Sequence, residues 1–328
     1  MPRQLSLPRL PELLGRKIYK TGQTRGADDD VIYQNRVGRN STVLIPYQFW
    51  GSNFSRPDGE EGFENGFIVL IPPRIYFEDR NIEFTLLESG LCLGQHCLVF
   101  YETRYDWERY NPDRLGWKPA QNRSNPFDGQ YVARVPATTA TDGGGRIIRG
   151  FNTSKSKGAG IRLYEYASST TLAKTRLQLE ALYWLCYDSL EMATVYGMTD
   201  EAAVTRKKLI LHECKILGLL DYQELHRARI IDPNNHPMCP LCLERLSGSG
   251  FFSRLAQAEG REVPDLTVTE INLFHIDELR YGVYNHKPYN LGWGHHHCNV
   301  VVKDSGIVQT LQWMKAVIYK NEAAGFAV

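Results

Sequence analysis

The chain has 328 residues, 42% of them apolar and 11% aromatic, with 38 Lys+Arg against 37 Asp+Glu. That length supplies two domains with separate cores, and the ordinary charge and aromatic content exclude wholesale disorder. The longest apolar runs, such as Phe67–Ile71, fall far short of the roughly 20 residues needed to cross a bilayer. The opening stretch MPRQLSLPRLPELLGRK is basic without a continuous apolar run, so no signal peptide, no membrane partner and a cytoplasmic location are expected. The seven cysteines, Cys92, Cys97, Cys186, Cys214, Cys239, Cys242 and Cys298, are odd in number. A disulfide framework is not expected; close pairs read as metal ligands or core residues.

Residues 1–165 read as a β-rich domain. Residues 41–45, 67–71, 82–87, 97–101 and 130–135 are short runs of β-branched and aromatic side chains, punctuated by Arg56-Pro57-Asp58-Gly59, Pro72-Pro73 and Asn125-Pro126. The spacing fits an antiparallel sheet or partial barrel. Cys92 and Cys97 flank Gly94-Gln95-His96 with no second pair nearby and read as small buried residues. Between Gly143 and Tyr164 stand Arg146, Arg149, Lys155, Lys157 and Arg162 with several glycines and no acidic residue. Such a segment suits tracking of DNA phosphates, or is a solvated surface loop. Arg3, Arg9, Arg16, Lys17, Lys20 and Arg25 form a second candidate basic arm.

Residues 166–232 read as helical and bridging. Ser168, Ser169 and Thr170 offer N-caps before Leu172, Leu179, Leu182, Leu185, Cys186 and Leu190, with Gly197 as a stop. Thr199-Asp200-Glu201 caps a second helix closed by Gly218, and a shorter one follows over residues 222–229. Cys186 and Cys214 fall on apolar helix faces. Glu213-Cys214-Lys215 has the Glu-x-Lys spacing found in one large nuclease family, but it lies in a helix without a preceding Pro-Asp and is rejected. A turn-rich linker, Asp232-Pro233-Asn234-Asn235-His236-Pro237, leads into residues 233–328.

The chemistry lies in this last third. Cys239-Pro240-Leu241-Cys242 is a knuckle presenting two thiolates, and His295-x2-Cys298, separated from it by 52 residues, stands at the start of an expected helix. Soft thiolates plus an imidazole suit Zn²⁺ with no open position, hence a structural site. Strand-like residues 270–279 hold His275, turn residues Gly282, Asn285 and Pro288 follow, and the helix starts near His295. Strand, strand and helix around a zinc make the ββα-metal architecture. The bland alternatives are a zinc ribbon without catalysis and, for His275 alone, a hydrogen-bonded core histidine. His296 and His297 read as DNA-facing or structural, and His286 as a turn residue contacting phosphate.

Over residues 236–320 the sequence resembles the HNH nuclease family, closest to the HNH enzymes among type II restriction endonucleases. The resemblance is carried by His275-Ile276, the x-Asn-His-x-Pro-x-Asn-Leu turn at residues 284–291, and Trp293-Gly294-His295-x-x-Cys298-Asn299. It implies that His275 is the general base, for which an imidazole of ordinary pKa near 6.5 is suited. It implies that Asn290 shapes the loop and orients the histidine, and that Asn299 holds one catalytic divalent cation, Mg²⁺ or Mn²⁺. Where many members carry Asp or His just before the base, this chain has Phe274, which cannot ligate a metal; Asp277, Glu270 and Asp304 are candidate substitutes.

The fold class expected is therefore α+β: an N-terminal β-rich DNA-recognition domain, central helices and a C-terminal zinc-bound ββα-metal (HNH) module. The function implied is that of a type II restriction endonuclease, a homodimer cutting both strands of double-stranded DNA at a specific site. Water would attack phosphorus in line, leaving 5′-phosphate and 3′-hydroxyl ends. A modification-dependent or nicking HNH endonuclease, or an inactive HNH-fold DNA-binding protein, are the alternatives.

Overall fold

The computed structural model describes residues 7–23, 37–51, 62–121, 125–135, 147–149, 160–253, 269–303 and 305–327. The chain divides into two compact bodies: Gln23–Ser168 with Tyr281–Tyr284, and Met1–Gly22 with Ser169–Arg280 and Asn285–Val328. Helix α1 (Glu12–Lys20) belongs to the second of these, burying Leu14, Lys17 and Ile18 on one face.

The other body is built on β1 (Val43–Pro46), β2 (Phe67–Ile71), β3 (Cys97–Tyr101) and β4 (Tyr131–Val135), four parallel neighbours. Strand β5 (Ile147–Arg149) pairs antiparallel with β4, and β6 (Ile161–Arg162) pairs parallel with β1, giving the order β5-β4-β3-β2-β1-β6. Helices α2 (Pro73–Glu78) and α3 (Ile82–Glu88) lie between β2 and β3, and α4 (Arg104–Arg109) lies between β3 and β4. The expected antiparallel sheet or partial barrel is thus corrected to a mainly parallel sheet with helical crossovers. The cause is legible in the strands themselves. FIVLI and CLVFY are apolar throughout rather than alternating, the pattern of strands covered on both faces, and parallel neighbours require long return connections. Val43, Ile45, Val69, Val99 and Ala133 fill one face of the sheet, and Leu44, Ile68, Leu70, Leu98 and Val132 fill the other.

Residues 82–87, expected as a strand, form α3. Ile82 and Leu86, four apart, are 5% and 2% exposed, whereas Phe84 and Leu87 are each 63% exposed. The helical period decides the burial here, and the β-branched and aromatic composition misleads. Tyr281 belongs to this body too, its ring stacked on Phe49 at 4.2 Å and 8°.

The remaining body contains α5 (Ser169–Trp184), α6 (Ser189–Val195), α7 (Asp200–Ile216), α8 (Tyr222–Arg227), β7 (Ile271–His275), β8 (Leu291–His295), α9 (His296–Val302) and α10 (Ile307–Ala323). The first helical stretch is two helices rather than one, since Ser189 Oγ donates to Trp184 O at 3.1 Å and turns the chain between them. Thr199 caps α7 by accepting from Ala202 N, and Asp221 caps α8 by accepting from Gln223 N and Glu224 N. Leu179, Leu182, Ile210, Leu225, Ile271, Phe274, Leu291, Trp293 and Val302 share one core, so the central helices and the C-terminal hairpin are packed as one body. Glu180 and Arg206 are paired inside it at 2.6 and 2.8 Å, and Trp184 Nε1 donates to the same carboxylate at 3.1 Å. Among the described residues no helix is long and apolar enough to cross a membrane.

Candidate active site and metal centre

The Cys239–Cys242 knuckle is a tight reversal. Leu243 N donates to Cys239 O, Cys239 N donates to Glu244 O, and Leu243 takes a left-handed φ of 64°. Its base is fixed by Asp232, which accepts from Asn234 N at 2.8 Å and His236 N at 2.9 Å and pairs with Arg245 at 2.6 Å. Burial alone pushes the Asp232 carboxyl up, but the bonds from His236, Arg245 and Asn234 outweigh it and hold the group below its ordinary value. On the opposite side, His295 ends β8 and occupies the N-cap of α9, and Cys298 is three residues on. A cap residue and the third helical residue share a face, which aims both side chains at the knuckle.

The ligating atoms of Cys239, Cys242, His295 and Cys298 all lie within 4.8 Å of one another, with Cys242 Sγ and His295 Nδ1 at 3.3 Å. A tetrahedron with metal–sulfur bonds of about 2.3 Å and metal–nitrogen bonds of about 2.0 Å has edges of roughly 3.5–3.8 Å. The donor set and its spacing therefore fit one four-coordinate soft ion. Burial, then the neighbouring Cys239, pushes the Cys298 thiol well above its ordinary pKa, and burial also raises Cys242. A cation is the group that reverses this penalty and lets the thiolates persist.

Strands β7 and β8 form an antiparallel hairpin in the register Ile271↔His295, Leu273↔Trp293, His275↔Leu291. One end of the hairpin therefore carries the cysteine and histidine donors and the other carries His275. Asn290 is 5% exposed and ties this second end together: its Oδ1 accepts from Asp277 N at 2.7 Å and its Nδ2 donates to Asn285 O at 2.7 Å. Asn285 in turn donates to Glu278 O at 2.7 Å. His275 Nε2 lies 3.2 Å from His286 Nδ1. Asn299 stands on α9 immediately after Cys298, half-buried.

Phe274 is fully buried, pointing to the face opposite His275 as successive strand residues must. A Cβ on Gly294 would come within 2.5 Å of its ring, whereas one on Gly292 meets Ile230 only at 3.3 Å. Gly294→Ala is therefore expected to lower stability by about 1–3 kcal/mol through overpacking, with Gly292→Ala costing less, as read by urea denaturation.

The other candidate residues are placed as follows. Lys17, placed by sequence in a basic arm, is 7% exposed, and its ammonium reaches Thr269 Oγ1, the carbonyl of Ile271 and, at 3.4 Å, Asn272 Oδ1. Burial and then Lys20 lower its pKa to about 7. The available signal was its spacing from Leu14 and Ile18, which puts it on the apolar face of α1. His286, read as a phosphate contact, is 1% exposed and faces His275 instead. His296 Nδ1 is 3.2 Å from Asn272 Nδ2, and exposed His297 stacks on His295 at 5.4 Å. Arg149 ends β5, and Arg162 on β6 lies 3.7 Å from Glu165 with its side chain 17% exposed. Arg146, Lys155, Lys157 and Asp304 lie outside the described residues. Asp277 and Glu270 are exposed.

Comparison with known proteins gives the family of the chain. Residues 16–296 match the BstXI restriction endonuclease family, a span covering most of the chain. The chain belongs to the BstXI restriction endonuclease family. No curated protein matches the sequence. A crystal structure described as that of a type II restriction endonuclease aligns with a TM-score of 0.30 and 15% identity, over 48% of this chain and 57% of its own. The chain thus spans little more than half the length of that structure.

Proposed function

We propose that the protein is a type II restriction endonuclease that hydrolyses double-stranded DNA in an HNH active site centred on His275. The observation that carries this reading is the hairpin with a Cys-Cys-His-Cys cluster at one end and His275, beside the Asn290-braced turn, at the other, inside a chain of the BstXI family.

In this reading Cys239, Cys242, His295 and Cys298 hold Zn²⁺, fixing β8 to the knuckle and setting the start of α9. Among the described residues no other group of three or more His, Cys, Asp or Glu side chains gathers. A hard Mg²⁺ or Mn²⁺ near His275 would therefore rest on the Asn299 carboxamide oxygen, the DNA phosphate and water, which suits an ion that keeps several waters. When bound, that ion supplies charge stabilisation at the scissile phosphate and the leaving 3′ oxygen. The chain's own steps are these. His275 takes a proton from water aligned opposite the leaving oxygen, and Asn290 holds the turn so that the imidazole keeps its direction. The sheet-containing body, Gln23–Ser168 with Tyr281–Tyr284, would read the target, and the body that joins the central helices to the β7–β8 hairpin would cut it. Arg146, Arg149, Lys155 and Lys157 are the proposed phosphate contacts, with Arg162 turned to Glu165 instead. One active site cuts one strand, so cleavage of both implies a homodimer on a palindromic target.

The test is digestion of a sequenced plasmid by the purified chain with Mg²⁺ or Mn²⁺. Discrete fragments with 5′-phosphate ends are expected. Specific binding without cleavage would establish the inactive DNA-binding alternative, and cleavage confined to methylated DNA would establish the modification-dependent one.

A further inference from the structure

Helix α10 is apolar on most sides, with Lys315, Lys320 and Glu322 as its charged residues. Its first turn is fastened to the body: Ile307 N donates to Ile276 O at 2.9 Å, one residue past His275, and Ile307 and Thr310 are buried. Beyond Thr310, Met314 is half-buried and every other residue of the helix is exposed. Ile307, Leu311, Met314 and Ile318 recur at the spacing of one helix face, so the stripe that starts in the core runs on past it. Trp313, Tyr319 and Phe326, on other sides, are 59%, 71% and 67% exposed. At about 200 Å² per aromatic side chain these three leave about 400 Å² of apolar surface in water. With Val308, Leu311, Val317 and Ile318 also exposed, the arm approaches the roughly 800 Å² per partner that a stable interface covers. A lone helix of this length is marginal in water, and Val317-Ile318-Tyr319 favours it little.

Two features select what covers it. Two lysines beside one glutamate on an apolar rod do not suit the phosphates of duplex DNA. Lys315 and Glu322 stand two helical turns apart on one border of the stripe. A second α10 laid antiparallel across it sets each lysine beside the other copy's glutamate, twice about a single two-fold axis. We infer that α10 is the self-association arm of the chain, packing its Leu311–Met314–Ile318 stripe antiparallel on that of a second copy. This rests on the nuclease reading for its consequence, naming the interface of the homodimer; because α10 starts beside β7, the pairing ties both copies' hairpins to one axis.

The test is sedimentation of the full chain and its variants without DNA or Mg²⁺. The parent is expected to be a dimer at micromolar concentration, and Ile318→Asp a soluble monomer whose urea unfolding stays cooperative. Lys315→Glu and Glu322→Lys should each weaken the dimer about tenfold, since two surface ion pairs become two repulsions, and the double variant should recover the parent's affinity. A monomeric parent, a dimer indifferent to Ile318→Asp, or a double variant no tighter than the singles overturns the inference. Association only on adding duplex DNA overturns it in favour of a DNA contact. A dimer held by α10 that cuts no DNA removes the nuclease reading alone, and a chain that cuts both strands as a monomer removes the arm alone.

Discussion

Cys298→Ala should abolish metal binding at the four-donor cluster and unfold the β7–β8 hairpin and the knuckle. Cys298 is 4% exposed and sits one residue before Asn299, in the first turn of a seven-residue helix. Such a helix is too short to persist without tertiary support. An ion held by the four donors would join α9 and the end of β8 to the knuckle. In small domains a structural zinc contributes about 10–16 kcal/mol of apparent folding free energy, comparable with the roughly 5–15 kcal/mol by which a whole domain is stable. This body has additional core residues from Leu14 to Ile307 that the substitution leaves in place, so collapse of the hairpin and knuckle ahead of the helices is expected. Metal analysis should find about one zinc per chain in the parent, on the four-ligand geometry of such sites, and markedly less in the variant. Thermal unfolding should shift downward in both the variant and the chelator-treated parent. A variant that keeps its metal and melts with the parent would refute the assignment of Cys298 as a ligand.

The second large effect is on chemistry and leaves the fold alone. His275→Ala should reduce cleavage by about 10²–10⁴-fold, the usual contribution of a positioned general base, while DNA affinity stays close to that of the parent. The imidazole is half-buried at the end of β7, and its strand pairing with Leu291 runs through the backbone. Truncation therefore removes a proton acceptor without opening a cavity in the core. Single-turnover cleavage and gel-shift affinity measured on the same preparation separate the two quantities. Parallel losses in both would make His275 a structural residue, and unchanged cleavage would place the base elsewhere. The contrast with Cys298 is diagnostic: one substitution should change the melting curve, the other only the rate.

The donor quartet was legible in the sequence because its geometry is local. Cys-x2-Cys forms a knuckle by itself, and His-x2-Cys at a helix start puts two ligands on one face wherever the helix is placed. The hairpin between them followed from the strand-like run around His275 and the turn residues after it. Lys17 is polar by type, yet its spacing from Leu14 and Ile18 put it on the apolar face of α1. His286 was not legible, since it lies in a polar turn that composition assigns to the surface. Only the packing of α1 on the start of β7, and of the 285–290 turn beneath His275, buries them. The same limit explains the sheet. Runs such as FIVLI state that a strand is buried but not which strand lies beside it, and α3 carries strand-like side chains on a helical period.

The amino-acid sequence by itself determined the short-range features: the ligand pairs, the caps of α7 and α8, and the apolar strands. These follow from interactions within a few residues, where spacing fixes geometry. Tertiary structure decided the parallel order of the sheet, the burial of Lys17 and Phe274, and the meeting of His275 with His286. Those depend on contacts between segments up to 255 residues apart, whose pairing is chosen by the summed burial and hydrogen bonding of the whole body rather than by any one stretch of chain.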